Sequence, residues 1–232
     1  MKNKRALIKA VIFDLDGTLI DSEPVYFESE KIWLGGYGID YSEEMNHKYL
    51  GRGSAAMIAD LLAMFPDSAM AKFGIEELVR QKDKAYLELA PRMVKTFPQV
   101  LSFANILYKN GTAMAIASGS TLKVINSMAE SLGFKHYFPF IVSAEEVKTG
   151  KPAPDIFLET ARRMAVEPEN CLVLEDSKNG VLSAKAAGMH CVVLPDPELP
   201  FFAEQELADI LVKGGPMGFM PDTVLSAFNW KA

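Results

Sequence analysis

Two carboxylates one residue apart close an apolar run in this chain, Val11-Ile12-Phe13-Asp14-Leu15-Asp16-Gly17-Thr18-Leu19. Like charges at short range resist joint ionisation, so the pair calls for a compensating cation. Carboxylate oxygens suit a hard divalent ion, and Mg²⁺ is the expected one. Three more groups have matching chemistry. Ser118-Gly119-Ser120 offers hydroxyls and loop amides, Lys151 sits between Gly150 and Pro152, and Glu175-Asp176 forms a second acidic pair. Hydroxyl, amide and ammonium donors fit phosphate oxygens. A carboxylate facing a metal-clamped phosphate can attack phosphorus and form an aspartyl-phosphate. A second carboxylate can protonate the leaving oxygen and then deprotonate water. Asp14 is the candidate nucleophile and Asp16 the candidate acid/base.

Each group also has a plain alternative. Asp, Ser and Gly form turns. Lys151 alone reads as a surface lysine, and Glu175-Asp176 as acidity favoured by a helix start. Asp-Gly-Thr-Leu lacks the ligand spacing of a calcium loop. Together, each at or after the end of an expected strand, these groups point to one site.

Those strands alternate with helices. Ala10–Phe13, rich in β-branched and aromatic residues, reads as a buried strand. Further strands are expected at 112–117, 140–143, 170–174 and 190–194, with helices at 100–108, 121–132, 155–164 and 177–187. Alternation of this kind gives a parallel sheet with right-handed crossovers. Its strand carboxyl ends share one edge, where ligands bind in open α/β sheets, so the separate motifs converge. Residues 22–92 break the alternation. Ser22-Glu23-Pro24 is a helix start with Ser22 as N-cap. Helices follow at 42–50, at 54–64 with Ser54 as cap, and at 75–90, ended by Pro91. The fold class expected is therefore α/β, a parallel-sheet core at 1–21 and 93–232 with an inserted all-helical segment at 22–92. Pro24 and the 91–98 region are the expected hinges. The tail beyond Gly214 is weakly patterned, with one helix expected at 223–228.

Composition narrows the class. With 232 residues the chain holds one large domain or two modest ones. Charged residues at 23% fit a globular protein and exclude a disordered or fibrous one. The net charge of −6 and the lack of a basic cluster speak against nucleic acid. Cys171 and Cys191 fall in expected strands and read as reduced core thiols without zinc-site spacing. No secretory segment or bilayer-length apolar run is apparent, so no membrane is expected and the enzyme is expected to be cytoplasmic. His47, His136 and His190 are scattered and form no triad with a nucleophile.

Asp14-Leu15-Asp16-Gly17-Thr18-Leu19, Ser118-Gly119, Gly150-Lys151-Pro152-Ala153-Pro154-Asp155 and Glu175-Asp176-Ser177 resemble the four motifs of the haloacid dehalogenase superfamily. The helical insert is similar to the small cap of its phosphatase and β-phosphoglucomutase branch. The resemblance implies a Rossmann-like core with the insert as its cap, a nucleophilic Asp14 and an acid/base Asp16. It implies Mg²⁺ held by Asp14, the Asp16 main-chain carbonyl and Asp176, with Glu175 in or near that shell. Ser118, Gly119 and Lys151 would bind the transferring phosphate. In β-phosphoglucomutases a histidine of the first cap helix follows the Asp-x-Asp loop, and here Tyr26 corresponds to it.

The expected activity is therefore hydrolysis of a small phosphorylated metabolite: a sugar phosphate, a polyol phosphate or a nucleotide. A phosphosugar isomerase and a non-catalytic phosphometabolite-binding protein are the alternatives. Arg52, Glu23 and Tyr26 are the candidate substrate contacts from the cap, Arg52 because a guanidinium between two glycines can reach an anionic group. Trp33 reads as cap core. The chain itself is expected to be a monomer or weak dimer.

Overall fold

The computed structural model describes residues 5–49 and 53–231. The chain runs through β1 (Leu7–Ile8), β2 (Ala10–Phe13) and β3 (Ile20–Asp21) into four helices. These are α1 (Glu23–Gly35), α2 (Glu43–Tyr49), α3 (Ser54–Met64) and α4 (Ile75–Met93). It continues through β4 (Lys95–Thr96), α5 (Pro98–Lys109), β5 (Ala113–Ser118), α6 (Leu122–Ser131), β6 (Phe140–Ser143), α7 (Asp155–Met164) and β7 (Cys171–Glu175). Last come α8 (Lys178–Ala186), β8 (His190–Val193), β9 (Ile210–Leu211), α9 (Pro221–Ala227) and β10 (Asn229–Trp230).

The main sheet has the order β6-β5-β2-β7-β8-β9, with every pairing parallel. It is the parallel α/β sheet that the alternation predicts, in the Rossmann-like form that the resemblance implies. β2 lies at its middle, with Phe13 in register with Ile116 on one side and Leu174 on the other. That register sets the carboxyl ends of β2, β5 and β7 beside one another. Successive side chains of β2 point to opposite faces. Val11 and Phe13 join one apolar cluster with Phe103 and Val124, while Ala10 and Ile12 join a second with Phe157 and Val181. All four β2 residues are buried. Burying each large apolar side chain contributes about 1.5–3 kcal/mol, so the strand that carries the site is also firmly anchored.

β3 and β4 pair antiparallel, and the helical segment leaves and returns between them. That segment has an apolar cluster of its own, including Leu34, Tyr41, Ile58, Leu61 and Leu78. Trp33 packs against this cluster at partial burial.

Several local expectations are corrected. Ser22 occupies the N-cap position of α1 but makes no capping bond; its hydroxyl donates to Asp16. Gly53, not Ser54, is the N-cap of α3. Pro91 does not end α4, which runs on to Met93. It falls in the last turn, where few bonds remain to be lost and the Val94 N–H still reaches the Ala90 carbonyl. The last helix starts at Pro221, a favoured first-turn residue, and ends at Ala227. β3, β4, β9 and β10 are two-residue strands, too short to show a periodicity in sequence. β10 pairs with β1 and so ties the tail to the start of the chain. Cys171 and Cys191 are free and buried in β7 and β8. Among the described residues no helix is long and apolar enough to cross a membrane.

Candidate active site

The sheet edge gathers the motif residues. Asp14 follows β2 directly, and its N–H is fixed by the Leu174 carbonyl of β7. Ser118 and Glu175 are the last residues of β5 and β7. Lys151 arrives on the loop after β6. Its Nζ donates to Asp14 Oδ1 at 2.5 Å, to Glu175 Oε1 at 2.5 Å and to the Ala117 carbonyl at 3.3 Å. The residue expected on phosphate thus also bridges two carboxylates and neutralises part of their charge.

Asp14 and Asp16 meet different surroundings although one residue separates them. Asp14 is buried, and burial raises its carboxyl to about 8; Glu175 and Asp16 add to the rise, while Lys151 opposes it. Burial would by itself weaken the charge on Lys151, yet Asp14 and Glu175 outweigh it and hold the ammonium above its ordinary range. Asp16 instead faces hydroxyls. Ser22 Oγ donates to its Oδ1 at 2.7 Å, and Ser120 Oγ donates to its Oδ2 at 2.7 Å. Ser118 Oγ is 3.4 Å from the same Oδ2.

Asp14, Glu175 and Asp176 each offer an oxygen within 4.8 Å of the other two. Burial pushes the Asp176 carboxyl well up, with Glu175 and Asp14 adding repulsion. Three crowded hard-oxygen groups against one ammonium fit a divalent cation. Glu175 has few lone pairs left for it. Its Oε1 accepts from Lys151, and its Oε2 accepts from Asp176 N, Ser177 N and Ser177 Oγ, each at 3.0 Å. Asp14 and Asp176 are the freer ligands, and Glu175 orders the loop that carries Asp176.

Two glycines make the crowding possible. Gly17 has φ +76°, and a Cβ there would lie 2.3 Å from Asp176 Oδ2. Sequence reading placed Gly17 as a turn former; its second duty, clearing space for Asp176, appears only in three dimensions. Gly180, in the first turn of α8, was missed as a site residue. A glycine so early in an expected helix was the available signal, since it costs helix stability unless space demands it.

Of the residues expected from the insert, Glu23 and Tyr26 line the same cavity as Asp14 and Ser118. Burial raises the Glu23 carboxyl to about 7, helped by Asp16 and Glu30 and opposed by Lys82. Arg52 lies outside the described residues. Glu30 and Lys82, which sequence reading did not single out, also line the cavity. They pair at 2.9 Å, and both are buried.

Comparison with known proteins places this parallel α/β sheet and its acidic, lysine-bridged strand edge in a family of hydrolases. The model of the haloacid dehalogenase-like hydrolases matches residues 11–194. The chain belongs to that family. It is 32% identical over 182 residues to the fructose-1-phosphate phosphatase YqaB of Escherichia coli (strain K12), covering 78% of this chain and 94% of that protein. It is 30% identical over 204 residues to hexitol phosphatase B of the same strain, covering 88% and 90%. The crystal structure of CbbY from Rhodobacter sphaeroides in complex with phosphate aligns with a TM-score of 0.80 at 26% identity, covering 90% of this chain and 95% of that one.

Proposed function

We propose that this chain is a Mg²⁺-dependent phosphatase of small phosphorylated metabolites, working through an aspartyl-phosphate on Asp14. One observation carries the mechanism: two neighbouring carboxylates sit in opposed environments. Asp14 is in the crowded acidic cluster with Lys151, whereas Asp16 is held by serine hydroxyls outside it. Such a division separates a nucleophile from a proton carrier.

In this reading Asp14 attacks phosphorus, and Asp16 gives its proton to the departing oxygen. Asp16, now a carboxylate, takes a proton from water; the water oxygen bonds to phosphorus and the Asp14–phosphorus bond breaks. Ser118, the Gly119 amide and Lys151 bind the phosphate oxygens. The cation, held by Asp14, Asp176 and the Asp16 carbonyl, would supply positive charge that keeps Asp14 ionised and offsets the phosphate charge. Residues 22–92 act as a cap that closes over the site, and Glu23, Tyr26 and Arg52 read the substrate from it. The names of the two relatives above support a sugar or polyol monophosphate as the substrate class.

The test is Asp14→Asn against a panel of phosphate esters with Mg²⁺. Turnover should fall by at least about 10³-fold while the thermal unfolding curve is kept. Full turnover in the variant would overturn the assignment of Asp14.

A further inference from the structure

The Lys151 ammonium has no proton to spare. A lysine offers three N–H donors. Here one goes to Asp14 Oδ1 and one to Glu175 Oε1, each at 2.5 Å, and one to the Ala117 carbonyl at 3.3 Å. A fourth contact uses no N–H. Lys151 Nζ lies 5.1 Å from the centroid of the Phe157 ring, within the range at which the negative face of an aromatic ring attracts a cation.

Both partners of that contact are fixed. Phe157 belongs to α7, is fully buried, and packs in the apolar cluster that includes Ile12 of β2 and Val173 of β7. The loop that bears Lys151 is tied down two residues further on, where Ser183 Oγ of α8 donates to the Ala153 carbonyl at 2.7 Å. The contact is also nearly dry, since the Lys151 side chain is only 11% exposed. Removal of water strengthens the attraction between a cation and a ring.

We propose that Phe157 is a positioning residue, whose ring face holds the Lys151 ammonium at the sheet edge while the charge on Asp14 changes. The proposal rests on the phosphatase reading above. In that reading an Asp14 oxygen bonds to phosphorus and its negative charge is spent. The pull of Asp14 on Lys151 then weakens as the pull of the phosphate oxygens grows. The ring keeps its pull throughout and competes for none of the three protons. Lys151 can therefore redirect one N–H from Asp14 to a phosphate oxygen without leaving its place, so its charge is preorganised for the transfer.

Ring fluorines test this, because each lowers the negative potential of the face and hardly changes its size. Phe157 is replaced by phenylalanines bearing one, two and three ring fluorines, in the wild-type chain and in Lys151→Met. With Mg²⁺, kcat/KM should fall in step with fluorine number, about 10-fold over the series. The loss should be alike for fructose 1-phosphate and p-nitrophenyl phosphate, because Lys151 meets the phosphoryl group that both esters share. The urea midpoint should also fall in step in the wild-type background but not in Lys151→Met. Comparing the two backgrounds cancels any effect of fluorine on packing. A level kcat/KM across the series, whatever the midpoints do, would overturn the positioning role, and so would midpoints that move equally in both backgrounds. Wild-type protein inactive on both esters would count against the phosphatase reading instead, and the midpoints would still decide whether the ring holds the ammonium.

Discussion

Gly180 leaves empty the space that the Glu175 carboxylate fills: a Cβ at Gly180 would lie 1.8 Å from Glu175 Cδ. Glu175 is buried, accepts from Lys151, and holds the Asp176-Ser177 backbone. A methyl at 180 must therefore move a group that positions both Lys151 and Asp176. Gly180→Ala should reduce turnover about 10²-fold, as expected for a displacement near 1 Å at a reacting centre. Overpacking should also cost about 1–3 kcal/mol of stability. Gly35→Ala, where the added Cβ meets nothing within 4 Å, is the control and should match wild type. Kinetics and urea unfolding of both variants check this, and a fully active Gly180→Ala would refute the packing argument.

That relationship marks what the sequence can and cannot tell. β2, β6 and α7 fall on the expected residues because short apolar runs in the two strands, an amphipathic pattern in the helix and clear stops specify them locally. The convergence of Asp14, Ser118, Lys151 and Glu175 followed from parallel topology alone. Ser22 escaped because its bond to Asp16 joins two separate segments; a cap and a carboxylate partner look alike in sequence. Gly180 and the Glu30–Lys82 pair escaped because their meaning lies in contacts between distant segments. The pairing of Tyr26 with Ser120 spans 94 positions, and no local pattern encodes it.

Lys82 and Glu30 are both buried, joined at 2.9 Å between α4 and α1. Breaking a buried pair by removing one partner leaves an uncompensated charge and costs about 3–5 kcal/mol. Replacing both by apolar groups of similar size avoids that penalty. Lys82→Met should therefore lower the urea midpoint markedly, while Glu30→Leu/Lys82→Met should recover most of the loss. A single variant as stable as wild type, or a double variant no better than the single, would contradict it.

Asp14 links metal binding to pH. Without metal, burial holds its carboxyl at about 8, above the ordinary carboxylate range of about 4. Between these values the folded chain keeps a proton that the unfolded chain has lost. Its contribution to stability is thus full below about pH 4 and is lost as pH rises through about 8. A cation needs Asp14 and Asp176 ionised, so it binds more tightly over the same range and displaces a proton. Excess Mg²⁺ should raise the unfolding temperature at both about pH 6 and about pH 8, and by more at the higher pH. At a hundredfold excess over Kd the gain is about 2.7 kcal/mol, or roughly 5–10 °C for a chain of this length. Asp176→Asn should lose most of that shift. Thermal scans with and without Mg²⁺ decide it: a shift independent of pH, or one retained in Asp176→Asn, would place the cation elsewhere.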